Sequence, residues 1–87
     1  MRLIFAGTPD FAKIQLEALL QAGFKVVLVL TQPDKPAGRG QKMAASAVKT
    51  FALSQGLEVL QPSTLKTPEV QALLRSYEAD LMIVSAY

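Results

Sequence analysis

The stretch LIFAGTPDF, residues 3–11, joins a short apolar run to the start of a helix. Residues 3–6 are all apolar, which is typical of a strand buried on both faces, and the run stops at Gly7. Thr8 can cap the free N–H groups of a following helix, and Pro9 suits the first helical position. The stretch therefore predicts a strand, a tight turn and a helix in direct succession.

The same order of strand and helix recurs along the chain. The first helix is expected to end at Gly23, and further helices are expected to begin at Ser46 and at Thr67–Pro68. Further strands are expected at 26–30, 57–60 and 81–84. Alternating units with apolar strands predict an α/β fold, a parallel sheet with helices on both faces. In such sheets, ligands bind beyond the carboxyl ends of the strands.

Composition restricts the chemistry that these residues can perform. The 87 residues are 51% hydrophobic, and they include neither histidine nor cysteine. The most common general base, the most common metal ligand and the thiol nucleophile are therefore missing, and we expect no metal site. No apolar run approaches the roughly 20 residues of a membrane span, and the opening run is too short for a signal peptide. We expect a cytoplasmic protein.

Residues 32–45 interrupt the pattern with prolines and glycines, and we expect neither helix nor strand there. Four basic residues and no acidic residue lie between positions 35 and 49, whereas the remaining five basic and seven acidic residues leave the rest with a net charge of −2. Gly38 and Gly40 flank Arg39, so its guanidinium can be presented at a loop tip. Two interpretations stay open: a contact for a polyanion, or a flexible insertion whose charges aid solubility.

Residues 7–10 occupy the place where a dinucleotide-binding domain carries its glycine-rich turn. One glycine is present and Pro9 lacks an N–H group, so a pyrophosphate site is not expected. A tight turn and the wall of another kind of site both remain possible interpretations.

Several segments together resemble the amino-terminal part of the methionyl-tRNA formyltransferase family. They are LIFAGTPDF at 3–11, TQPDKPAGRG at 31–40, LQP at 60–62 and ADLMIVSAY at 79–87. The resemblance covers the whole chain, and the QPDKPAGRG segment is its most specific part. It implies a Rossmann-like formyltransferase fold of which residues 1–87 form the amino-terminal portion. The rest of the catalytic domain and a barrel-like domain are then expected beyond Tyr87.

The resemblance also implies a function and residue roles. Members transfer a formyl group from 10-formyltetrahydrofolate to the amino group of initiator methionyl-tRNA. The loop at 35–43 would contact the acceptor end of the tRNA through Lys35, Gly38, Arg39, Gly40 and Lys42. Gly7, Thr8 and Pro9 would line the substrate mouth, and Ala86 and Tyr87 would lie beside the folate.

The catalytic groups of the family, an Asn-x-His motif and an Asp, would lie downstream of Tyr87. The resemblance implies a monomer that needs neither membrane nor DNA, and we expect residues 1–87 alone to be inactive. The alternative is a stand-alone RNA-binding α/β module that uses the basic loop 35–49. One departure from the family pattern is Ala47, which stands where a proline is usual and leaves the helix start less preorganised.

Overall fold

The computed structural model describes residues 1–38, 40 and 42–87. In this part of the chain the elements follow one another as β1 (Arg2–Gly7), α1 (Asp10–Gln21), β2 (Lys25–Leu30), β3 (Lys35–Ala37), β4 (Lys42–Ala44), α2 (Ala47–Ser54), β5 (Val59–Leu60), α3 (Pro68–Ser76) and β6 (Leu81–Ala86). Gly23 follows α1 with a φ of 88°, as expected for the residue that ends a helix.

Four of the strands form one parallel sheet in the order β5-β2-β1-β6. From β1 the chain builds outward to β2 and β5, and then returns to place β6 on the other side of β1. The strand order therefore reverses between β1 and β6. In parallel α/β sheets, this switch point opens a crevice at the carboxyl ends of the strands, where ligands bind.

Helices cover both faces of this sheet, and a separate apolar cluster lies between the helices and the sheet on each face. On one face, Phe5 and Val29 pack with Leu16 of α1 and Val48 of α2, and all four are buried. On the other face, buried Leu28 and its neighbours pack against Leu74 and Tyr77 at the end of α3. The predicted fold class, a parallel sheet with helices on both faces, is confirmed.

The start of α1 differs from the prediction. The helix begins at Asp10, its N-cap is Pro9 with φ −63° and ψ 163°, and no side chain caps it. Thr8 instead turns its hydroxyl toward β2, where Oγ1 accepts the backbone N–H of Gln32 at 3.0 Å. The predicted cap was wrong because the threonine oxygen accepts from Gln32, just beyond the end of β2, and not from the first turn of the helix.

The expectation of no regular structure at 32–45 was also wrong. β3 and β4 pair as an antiparallel hairpin in which Lys35 lies opposite Ala44 and Pro36 opposite Met43. A two-stranded ribbon tolerates Pro36, because the missing N–H can face away from the partner strand. Gly38 and Gly40 lie between the strands with φ values of 71° and 83°, which a glycine adopts without strain.

The starts of the other two helices agree with prediction. Ser46 caps α2 by accepting the N–H of Lys49 at 3.1 Å, and Thr67 caps α3 by accepting the N–H of Val70 at 3.2 Å. Side chains thus replace hydrogen bonds that the first turn of a helix lacks.

Replacing Ala47 with proline should stabilise the protein. Ala47 is the first residue of α2, where the N–H has no intrahelical acceptor, and Ser46 already has the extended φ of −66° and ψ of 157° that a following proline requires. We expect about 0.5–1 kcal/mol of added stability, because the unfolded chain loses freedom. Urea unfolding measures this. An unchanged or lower midpoint would contradict the prediction.

β6 lies at the edge of the sheet in the described part of the chain. Leu81 and Val84 on this strand are 51% and 54% exposed, although both are large apolar residues. Within the described residues, this edge strand therefore leaves part of its apolar surface exposed. No helix in the described residues is long and apolar enough to cross a membrane.

Candidate functional site

The ends of β1 and β6 meet at the switch point of the sheet. The backbone N–H of Thr8 donates to the carbonyl oxygen of Ala86 at 2.9 Å, and Gly7 pairs with Ala86 across the strands. The residues that the family resemblance implies for the substrate mouth and for the folate therefore become neighbours, although nearly the whole chain separates them.

Gly7 allows α1 to approach the sheet closely. A Cβ atom at this position would lie 2.8 Å from Cβ of Ala12 and 3.0 Å from the ring of Phe5. Such distances are shorter than van der Waals contact, so a side chain would force the helix away from β1. The packing of α1 thus accounts for the glycine without any ligand.

A row of three hydroxyl groups crosses the carboxyl edge from β1 to α2. Thr31, which is fully buried, lies with Oγ1 2.7 Å from Oγ of Ser46 and 3.4 Å from Oγ1 of Thr8. Ser46 can donate to Thr31 and Thr31 to Thr8, because Ser46 also accepts the N–H of Lys49. The row ties the two strand-to-helix connections together.

A cleft of about 250 Å³ opens between this row and the hairpin. Its polar lining comes from Thr8, Asp10, Gln32, Lys35 and Ser46. The cleft is therefore lined by groups from four parts of the chain: the β1–α1 turn, the segment after β2, the hairpin and the start of α2. A polar substrate end could enter here with donors and acceptors on several sides.

The hairpin has two chemically different faces. Because side chains alternate along a strand, the cross-strand register puts Lys35 and Lys42 on one face and Pro36 with Met43 on the other. Both lysines are exposed, and within the described residues neither has an ion-pair partner. The first face can approach an anion, and the second, with Met43 62% exposed, offers an apolar contact.

Lys49 is not a free cation of the basic segment. Its Nζ lies 3.1 Å from both carboxylate oxygens of Asp34, and Gln61 donates to Oδ1 of the same carboxylate at 2.7 Å. The hydrogen bond from Gln61, followed by that from Lys49, holds the pKa of Asp34 below its usual range. Because Lys49 is paired, the cations of the basic segment 35–49 that are available to an anion are those of the hairpin.

Tyr87 turns its hydroxyl toward the sheet. The hydroxyl lies within hydrogen-bonding distance of the carbonyl oxygens of Thr31, at 3.1 Å, and of Pro62. Burial raises the pKa of this phenol. Its backbone carbonyl accepts from Nε2 of Gln32 at 3.0 Å. The side chain thus links the ends of β2, β5 and β6.

The structure brings together part of the predicted set. Thr8 and Lys35 share the cleft, Ala86 and Tyr87 adjoin it through Thr8 and Gln32, Gly7 lies beneath α1, and Pro9 caps that helix. Gly38, Gly40 and Lys42 lie in the outer part of the hairpin. Arg39 lies outside the described residues, so its role stays a prediction.

Sequence reasoning missed Gln32, Asp34 and Gln61, which join the hairpin to the sheet edge. Each follows the carboxyl end of a predicted strand, and that position was the available signal. Among the described residues, no group of three or more histidine, cysteine or acidic residues could hold a metal ion.

A parallel α/β sheet with polar groups gathered at its switch point places the chain in the Rossmann-like class, in which ligands bind at that edge of the sheet. Comparison with known proteins narrows this class. The sequence model of the family described as "Formyl transferase" matches residues 1–87. The chain belongs to the formyl transferase family.

Its relatives include proteins named methionyl-tRNA formyltransferase. Those from Thiobacillus denitrificans, Nitrosomonas europaea and Nitrosospira multiformis are 67%, 58% and 56% identical to it over all 87 residues. The chain spans only 28%, 27% and 28% of the length of these relatives. The resemblance inferred from the sequence motifs is confirmed.

Proposed function

We propose that the chain forms the amino-terminal part of the catalytic domain of an enzyme that formylates initiator methionyl-tRNA. The donor would be 10-formyltetrahydrofolate, and the reaction would take place in the cytoplasm on a monomeric protein that binds neither DNA nor membrane. One observation carries the proposal. Residues 7–9 and 86–87 meet at the switch point of the sheet, and the cationic hairpin stands beside them.

The hairpin would contact the acceptor end of the tRNA. Lys35 and Lys42 share one face, so both ammonium groups can approach neighbouring phosphates along one strand. Gly38 and Gly40 keep the tip free of side chains on either side of Arg39, which we propose as the residue that reads the end of the tRNA. Pro36 and Met43, on the other face, can pack against an unpaired base.

The amino acid on the tRNA would enter the cleft that Thr8 lines. Attack of its amino group on the formyl carbon of the folate creates a tetrahedral oxyanion, which needs fixed hydrogen-bond donors and an acceptor for the amine proton. We propose that an Asn-x-His motif and an Asp beyond Tyr87 supply these groups. Residues 1–87 would position both substrates, and Ala86 and Tyr87 would lead into the segment that holds the folate.

A chimera tests this function directly. In it, the chain replaces the matching segment of the Thiobacillus denitrificans relative, with which it is 67% identical. We expect the chimera to form formylmethionyl-tRNA from both substrates, and residues 1–87 alone to form none. A folded chimera that forms no product, with the unaltered relative active in the same assay, would contradict the proposal.

Removing both hairpin lysines should weaken tRNA binding in a salt-dependent way. In the chimera, a plot of log affinity against log salt concentration should have a negative slope, and K35A/K42A should make this slope less steep by about 1–2. The reason is that fewer counterions are released from the tRNA when two phosphate contacts are lost. K25A is the matched control, since Lys25 begins β2 and therefore lies at the amino ends of the strands, away from the hairpin. R39A should reduce the preference for initiator over elongator tRNA. An unchanged salt slope in K35A/K42A would contradict the role of the hairpin.

The cationic hairpin also supports the alternative of a stand-alone RNA-binding module. This alternative predicts that residues 1–87 alone bind RNA at low salt and lose affinity on R39A. RNA binding by the isolated chain together with an inactive chimera would favour it. Product formation by the chimera would favour the transferase.

A further inference from the structure

The hairpin is closed at its base by an ion pair. Asp34 directly precedes β3, and Lys49 lies in the first turn of α2, which follows β4. Nζ of Lys49 is 3.1 Å from each carboxylate oxygen of Asp34, and the two side chains are only 22% and 30% exposed. The residues that flank the hairpin on either side are therefore held together at its base.

Gln61 attaches this base to a third element. Its Nε2 donates to Oδ1 of Asp34 at 2.7 Å and to the carbonyl oxygen of Gln32 at 3.2 Å. Gln61 follows β5, which belongs to the sheet rather than to the hairpin. The carboxylate of Asp34 thus accepts hydrogen bonds from Lys49 of α2 and from Gln61 at the end of β5.

Gln32 continues the connection to the switch point. Its Nε2 donates to the carbonyl oxygen of Tyr87, and its backbone N–H donates to Oγ1 of Thr8, both at 3.0 Å. One short segment, 32–34, therefore contacts the ends of β1, β5 and β6 immediately before the hairpin begins. The residues that lead into β3 are therefore held against the ends of three strands of the sheet.

We propose that Asp34 is a positioning residue that sets the orientation of the hairpin relative to the switch point. Its carboxylate does not contact the tRNA itself. It acts through Lys35, the next residue and the first of β3, which lines the same cleft as Thr8. This inference rests on the proposed function, because it assigns Asp34 to the binding of the tRNA and not of the folate.

A purely structural ion pair would behave differently. If Asp34 and Lys49 only stabilised the fold, their loss would lower the melting temperature and affect both substrates alike. If Asp34 positions the hairpin, its loss should raise the KM for tRNA and leave the KM for the folate and kcat almost unchanged. Without Asp34, the hairpin would have to become ordered when the tRNA binds. The free energy of this ordering weakens the binding of the tRNA and not that of the folate.

The test is Asp34→Asn in the chimera, which keeps the size of the side chain and removes its charge. We expect the KM for methionyl-tRNA to rise about tenfold, the effect of weakening charged hydrogen bonds, with kcat and the folate KM within about twofold. Glu17→Gln is the matched control, because Glu17 also pairs with a lysine, Lys13 at 3.4 Å, but lies on α1 away from the hairpin. It should change none of these constants.

A second variant and a second readout keep the test decisive. Lys49→Met should raise the tRNA KM about threefold to fivefold. The double variant D34N/K49M should raise the tRNA KM no further than D34N alone, because the two changes remove the same contact between Asp34 and Lys49. Trypsin should cut D34N after Lys42 about tenfold faster than the parent chimera, and E17Q at the parental rate. This cleavage does not depend on activity, so an inactive chimera would count against the proposed function and leave the hairpin contact measurable. An unchanged tRNA KM in D34N, or an equal change for both substrates, would overturn the inference.

Discussion

Replacing Gly7 with alanine should lower the free energy of unfolding by about 2–3 kcal/mol, as expected when a methyl group is forced into a packed core. The new Cβ would lie 2.8 Å from Cβ of Ala12, which is attached directly to the backbone of α1. The helix itself must therefore shift, and Thr8 and Asp10 at its start would shift with it. The same change should reduce the activity of the chimera.

Gly56→Ala is the matched control for this prediction. Gly56 has a φ of 72° and no atom within 4 Å of the position of a Cβ, so alanine there meets backbone strain alone, of about 1 kcal/mol. Ala12→Gly in the G7A background removes the closest contact and should recover part of the lost stability. Urea unfolding of the four proteins measures these effects. If G7A cost no more than G56A, close packing at Gly7 would be refuted.

The fold could be predicted because its long strands are largely apolar and because α2 and α3 begin after capping residues. Residues 3–6 and 26–30 each form a continuous apolar run, and a sheet buried on both faces imposes that pattern locally. The caps at Ser46 and Thr67 are also local, since each hydroxyl accepts an N–H three residues later. These signals needed no knowledge of distant contacts.

The errors arose where a distant group competes with a local one. Thr8 has a good sequence context for a cap, but its oxygen accepts the N–H of Gln32, which lies 24 positions away. The hairpin strands span three residues each and include a proline, so they show too little alternation to be recognised. In both cases, the pairing of distant segments decides the structure.

The candidate site divides in the same way. Lys35 and Lys42 were predicted as contact residues because lysines in a glycine-rich segment suggest an anion contact, and the register of the hairpin adds that they share one face. Asp34 and Gln61 were missed, because their contact joins residues 27 positions apart. The sequence thus indicates which groups can bind a ligand, whereas the groups that hold them in place depend on the folded chain.

Replacing Tyr87 with phenylalanine should destabilise the protein by about 1–2 kcal/mol near neutral pH. The single hydroxyl proton is shared between the carbonyl oxygens of Thr31 and Pro62, and phenylalanine leaves both without this donor. The change should also loosen the ends of β2 and β5 against β6, where Gln32 meets the carbonyl of Tyr87.

The pH dependence separates this role from simple packing. Burial raises the pKa of Tyr87 in the folded protein above its unfolded value of about 10. The stabilisation by its hydroxyl is therefore complete below about pH 10 and is lost as the pH rises through the folded pKa. The difference in unfolding free energy between the unaltered protein and Y87F should accordingly become smaller as the pH rises above about 10. Y77F is the control. A hydrogen bond to Glu58 raises the pKa of Tyr77 too, but this hydrogen bond is exposed to solvent, and we expect its loss to cost less than about 0.5 kcal/mol at pH 7. Urea unfolding between pH 7 and 11 measures both variants, and an equal cost at pH 7 for Y77F and Y87F would show that Tyr87 does not hold the strand ends together.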